Sequence, residues 1–100
     1  MSVYAVALLK ITDRETYGAY ERGFMEIFSR HDGRLLSVDE SPTVKEGDWP
    51  WTRSVLIEFP SQEAFDAWFH SDDYQALAKH RHAASDCAVT VLKGLAGAGG

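Results

Sequence analysis

Residues 46–77 read EGDWPWTRSVLIEFPSQEAFDAWFHSDDYQAL, and no other run constrains the fold as tightly. Proline cannot donate to a sheet ladder, so Pro60 ends the apolar strand that closes with Phe59. Ser61 then caps a helix by offering its hydroxyl oxygen to amides of the first turn. Ser71 does the same for a second helix, with Asp72 and Asp73 placed at the positive end of its macrodipole. Gly47-Asp48-Trp49-Pro50 is a turn leading into the strand. Turn, strand, helix and helix succeed one another without a spare residue.

The rest of the chain supplies the other elements. Residues 3–11, VYAVALLKI, are short and apolar, as in a buried strand. Val3, Ala5, Ala7, Leu9 and Ile11 fall on one face; Tyr4, Val6 and Leu8 fall on the other. Thr12-Asp13-Arg14-Glu15 reads as a capping box with Thr12 as N-cap. Tyr17, Tyr20, Phe24, Ile27 and Phe28 then recur at helical spacing, and Gly33 is the expected stop. Gly18 and Gly23 each cost that helix about 1 kcal/mol relative to alanine, for which close helix packing is the expected reason. A second strand is expected at 34–38, a short edge strand at 43–46, a third strand at 51–59 and a last one at 86–93. The helix opened by Ser61 faces inward with Ala64, Phe65, Trp68 and Phe69, and the next with Tyr74, Leu77, Ala78 and Arg81.

The sum is β-α-β-β-α-β, an α+β ferredoxin-like plan with its second helix split in two. It predicts a four-stranded antiparallel sheet with helices on one face only. The first strand is nevertheless apolar on both faces. A monomer would leave its second face as an exposed apolar patch, so the pattern predicts a homodimer packed sheet to sheet. One domain is expected over 1–94, and a flexible C-terminal tail over 95–100.

Composition narrows the partners. With a net charge of −5 and ten cationic residues scattered among fifteen acids, a nucleic-acid backbone is not an expected partner. No apolar stretch approaches a membrane span and no signal peptide is recognisable. A single cysteine fits a cytoplasmic chain, and Cys87 reads as a small core residue.

The candidate chemistry is sparse. There is no phosphate loop, nucleophile elbow or CxxC. Four histidines are present, but His80 and His82 are two apart and so diverge on a helix, unlike chelating i,i+4 pairs. No metal and no cofactor is expected. His31 continues the inward stripe of the first helix. Arg81 points toward the sheet, where it needs either an acidic mate, with Glu58 or an acid of a second copy as candidates, or an anionic ligand held bidentately. Arg53 and Glu58 are an odd number apart and so project from opposite faces of their strand. Glu58, beside Leu56, is a candidate buried carboxylate with a raised pKa. Trp49 and Trp51 flank Pro50 as a pocket mouth or a dimer latch, the latch being preferred.

Gly47-Asp48-Trp49, Arg53, Glu58-Phe59-Pro60-Ser61, Ala67-Trp68, Ser71, Tyr74-Gln75 and Arg81 together resemble the family called domain of unknown function 1330, within the dimeric α+β barrel superfamily. The resemblance covers about residues 3–93 and implies the fold and dimerisation. It implies no chemistry. The superfamily includes cofactor-free monooxygenases that use an Asn, a Trp and a His together, and this chain has no asparagine. Haem-using relatives need an axial ligand, for which His31, His70, His80 and His82 are available.

The expected function is a cytoplasmic homodimer that binds a small organic acid or hydrophobic metabolite between helices and sheet, through Tyr20, His31, Trp49, Arg53 and Arg81. Two alternatives stand beside it. One is an oxygenase or isomerase type of enzyme; the other is a structural or interaction dimer with a filled core.

Overall fold

The computed structural model describes residues 1–95, so all of the expected tail but Leu95 lies outside the described residues. The chain runs β1 (Val3–Ile11), α1 (Arg14–Phe28), β2 (Arg34–Asp39), β3 (Arg53–Phe59), α2 (Gln62–Phe69), α3 (Asp72–Ala84) and β4 (Ser85–Lys93). The four strands form one sheet in the order β2-β3-β1-β4. Every pairing is antiparallel. β1 lies at the centre, with Leu9 opposite Arg53 on one side and Cys87 on the other.

Val3, Ala5, Leu9, Ile57 and Phe59 point to the helices and are buried with Tyr17, Tyr20, Phe28, Phe65, Trp68, Tyr74 and Ala78. The core is strongly aromatic. Phe59 stacks on Trp68 with centroids 5.5 Å apart, and Phe28 meets the same indole edge-on at 5.4 Å. Such pairs add to what area burial alone contributes. The Cα envelope measures 40 × 37 × 15 Å, the thickness of one sheet and one helical layer. The opposite face carries Tyr4, Val6, Leu8 and Leu56 with only partial cover, and Leu92 exposed.

Several boundaries depart from the sequence expectation. Asp13, not Thr12, caps α1: its carboxylate accepts from the Thr16 amide at 3.1 Å. The Thr12 hydroxyl donates instead to the Ala84 carbonyl at 3.1 Å, drawn away by the C-terminal end of α3. Ser61 and Ser71 do cap α2 and α3, accepting from the amides of Ala64 at 3.0 Å and Tyr74 at 3.2 Å. Residues 43–46 form no strand, and β3 begins at Arg53 rather than 51. Pro42, Gly47 and Pro50 punctuate that stretch, and a proline cannot serve as a ladder donor.

Gly33 does not terminate α1 either, since the helix already ends at Phe28 with Ser29 as its C-cap. Its role is steric. A Cβ there would lie 2.6 Å from the Cζ atoms of both Phe28 and Phe59. Gly23 answers the packing expectation, because its Cβ would come 2.7 Å from Leu77 of α3. Gly18 does not: the nearest atom is the flexible end of Arg22 on its own helix.

Candidate functional site

Between helices and sheet lies a cavity of about 180 Å³. Its floor exists because β1 places alanines at its centre. Ala5 sits between Ile57 and Val91, and Ala7 between Val55 and Val89, so larger neighbours flank a shallow trough. Tyr17, Tyr20 and Phe24 of α1 roof it, and Trp68, Phe69, Tyr74 and Arg81 close its inner wall. Glu21, Met25, Leu35 and Val38 also line it yet are exposed, which places the mouth between α1 and the edge strand β2.

Arg81 is the unusual member. Helical spacing carries it to the same inward face as Tyr74 and Ala78, leaving it only 4% exposed. No carboxylate among the described residues pairs with it. Its Nη1 donates to the Cys87 Sγ at 3.0 Å, a weak acceptor. Its Nη2 lies 3.3 Å from the His82 Nε2. Burial, then the neighbouring Arg81 charge, lowers the His82 pKa, so the ring is neutral and accepts. The guanidinium also lies over Tyr20, 5.9 Å from the ring centroid.

Arg53 is differently placed. It is 16% exposed and held by Glu21 at 3.4 Å and Glu40 at 3.3 Å, and Glu40 is shared with Arg14 at 2.8 Å. Its charge is already balanced. It lies over Tyr17, 5.6 Å from that centroid. Beside Arg81, the Tyr20 and Tyr74 hydroxyls meet at 2.6 Å. Burial, followed by the Tyr74 hydroxyl, pushes the Tyr20 pKa far up, so it is a neutral phenol at any physiological pH.

Four buried side-chain polar atoms find no partner among the described residues: Arg53 Nε, Ser54 Oγ, Trp68 Nε1 and Arg81 Nε. Three of those four belong to residues that line this cavity, and all three are N–H donors. Leaving such donors unpaired costs roughly 1–3 kcal/mol each, more for charged ones. The cavity wall is therefore short of acceptors.

Of the residues singled out from sequence, Tyr20, Arg53 and Arg81 come together on this wall. His31 and Trp49 do not. His31 lies in the turn after α1, its amide bonded to the Phe28 carbonyl at 3.0 Å. Trp49 is 41% exposed in the loop between β2 and β3. Glu58 is corrected on two counts. It projects from the outer sheet face, where Arg34 Nη2 lies 2.6 Å from its Oε1, so it is not the mate of Arg81. That bond, outweighing burial, holds its pKa below the ordinary carboxylate value rather than above it.

Tyr74, Trp68 and Glu21 were missed as site residues. Glu21 comes one helical turn after Tyr17, and that spacing was the available signal. Among the described residues no group of three or more His, Cys, Asp or Glu is placed to hold a metal ion.

A two-layer ferredoxin-like α+β protein with a cavity under its helices is what these features define. The family model described as Domain of unknown function (DUF1330) matches residues 2–95, and the chain belongs to that family. Among solved structures it is similar to a protein of unknown function from Rhodopseudomonas palustris, with 25% identity and a TM-score of 0.77 over 94% of this chain and 82% of that one. A dimeric ferredoxin-like protein of unknown function from Jannaschia sp. CCS1 matches with 13% identity and a TM-score of 0.70, over 94% and 100%. SnoaB, a cofactor-independent oxygenase from Streptomyces nogalater, matches with 13% identity and a TM-score of 0.68, over 94% and 93%. The last two likenesses concern the fold alone. No curated protein matches the sequence. No helix among the described residues is long and apolar enough to cross a membrane.

Proposed function

We propose that the protein is a cytoplasmic homodimer that binds a small organic acid in the cavity between helices and sheet, with Arg81 receiving the carboxylate. One observation carries this reading: a buried guanidinium with no acidic mate among the described residues faces a cavity whose other unpartnered wall groups are also donors. Burying an unpaired cation costs several kcal/mol, and a bound carboxylate would offset that cost. A cavity of this size is adequate for one aromatic ring, for which about 150 Å³ suffices. Its existence also weighs against a filled-core structural dimer.

The dimer is supported by the apolar outer face of the sheet and by the dimeric state of the Jannaschia neighbour. Trp49, exposed in its loop, is proposed as a latch on the second copy. A cytoplasmic location is supported by the single cysteine.

A second reading, an isomerase or oxygenase type of enzyme, draws on the Tyr20–Tyr74 hydroxyl pair beside Arg81. That cluster would stabilise an enolate oxygen as well as a carboxylate. Turnover of activated phenols or lactones, lost in Tyr74→Phe, would favour it.

The test of the first reading is mass spectrometry of acids extracted from protein purified without added ligand. The wild type should release an acid and Arg81→Ala none, while sedimentation shows both as dimers. Loss of the dimer in Arg81→Ala would make the residue structural instead.

A further inference from the structure

The two ends of the cavity differ, and their order across the sheet says how a ligand must lie. Arg81 sits over β1 and β4, against Cys87, at the inner end. The mouth lies over β2, at the other edge of the sheet. Three strand spacings separate β4 from β2, a path of roughly 14 Å. Along it the floor is Val89, Ala7 and Val55, with Val38 beyond at the edge. None carries a polar side chain. At the far end Met25, Leu35 and Val38 line the cavity while being substantially exposed, at 53%, 37% and 43%.

Charge narrows the head group. Two arginines line the cavity, but Arg53 is already engaged by Glu21 and Glu40. Of the two, Arg81 is without a carboxylate among the described residues, so the wall offers one uncompensated positive charge. With Arg53 so engaged, the wall holds no second uncompensated cation among the described residues for another anionic group. The Tyr20 and Tyr74 hydroxyls are bonded to each other, so one of their two protons serves that bond and the other is left to give. A carboxylate has two oxygens, one for that proton and one for the guanidinium.

We infer that the ligand is an amphipathic monocarboxylate that enters head-first, sets its carboxylate between Arg81 and the Tyr20–Tyr74 pair, and lays an apolar tail over the alanine trough to the Met25, Leu35 and Val38 mouth. This rests on the acid-binding reading above and adds the charge, the direction of entry and the length of the ligand. The exposed mouth residues then cover the tail of the ligand and are not a separate docking patch.

Calorimetric titration with straight-chain alkanoates of four to ten carbons, each beside its primary amide, tests it. Affinity of the wild type should rise about four-fold per methylene and then level off as the tail passes the mouth. Val38→Asp should flatten that rise for the longer acids. The wild-type series is decisive by itself should the variant fold poorly. Acids that bind over their amides with no dependence on length would overturn the inference and leave acid binding standing. A dicarboxylate that outbinds the monocarboxylate of equal length would overturn it as well. Acids that bind no better than amides would remove the acid-binding reading itself.

Discussion

The hydroxyls of Tyr20 and Tyr74 lie 2.6 Å apart and tie α1 to α3 in the interior, beside the Arg81 guanidinium. Both residues are buried. Removing either hydroxyl leaves the other without its partner, at a cost of about 1–3 kcal/mol. Tyr20→Phe and Tyr74→Phe should each destabilise by that amount in urea titration. The double variant should cost clearly less than their sum, because the second change removes a group that the first had orphaned. Additive losses would show that the two hydroxyls do not depend on each other.

Arg81 should behave unlike an ordinary buried core residue. A buried cation without a carboxylate is a burden on the fold, and an apolar side chain of similar length relieves it. Arg81→Met is therefore expected to leave thermal stability unchanged or raise it. A loss of about 3 kcal/mol or more would mean that its contacts with Cys87 and His82 hold the structure.

Two glycines make a paired test of close approach. At Gly33 an added methyl meets two buried rings, so Gly33→Ala should destabilise by about 1–3 kcal/mol. At Gly23 the obstacle is the end of the Leu77 side chain, which can turn aside, and alanine brings about 1 kcal/mol of helix propensity in return. Gly23→Ala should thus cost less than Gly33→Ala in denaturant unfolding. The reverse order would contradict the packing described for the Phe28–Phe59 contact.

Glu58 should contribute to the acidic limb of stability, beside Asp13 and Glu40, whose carboxyls are also held low. Its pKa is depressed in the folded chain by the Arg34 bond, below the ordinary 4.5, so the unfolded chain binds more protons in that window. The contribution is complete above pH 4.5 and is lost as pH falls through the depressed folded value. Glu40 acts in the same sense through Arg14. His82, lowered by burial and then by the Arg81 charge, adds a loss that begins as pH falls below 6.5. Glu58→Gln should flatten the acid limb, and added salt should do so in part, since Arg34 is largely exposed.

The fold was legible in sequence where a residue has one local option. Pro60 must stop a strand, and Ser61 and Ser71 must cap the helices they precede, because their partners lie three residues away. The parity of Arg53 and Glu58 was legible for the same reason, as strand geometry alone decides it. Thr12 was misread because its hydroxyl goes to Ala84, seventy-two residues on, which local spacing cannot reveal. Glu58 was misread because Arg34 approaches it from a neighbouring strand. Arg81 was visible as an inward charge, but its lack of a carboxylate depends on everything packed around it. The cavity is likewise a property of assembly: Ala5 and Ala7 open space only because Val55, Ile57, Val89 and Val91 stand on either side.

The most direct test of the central claim is a calorimetric comparison of benzoate with benzamide on the wild type and Arg81→Met, with Ala7→Leu as a filled-cavity control. The two ligands share a ring and differ in charge, so their ratio isolates the guanidinium. Wild type should favour benzoate by ten-fold or more, about 1.4 kcal/mol. Arg81→Met should bind both alike, and Ala7→Leu should bind neither. Equal affinities in the wild type, or a benzoate preference that survives Arg81→Met, would contradict the assignment of Arg81 as the carboxylate receptor.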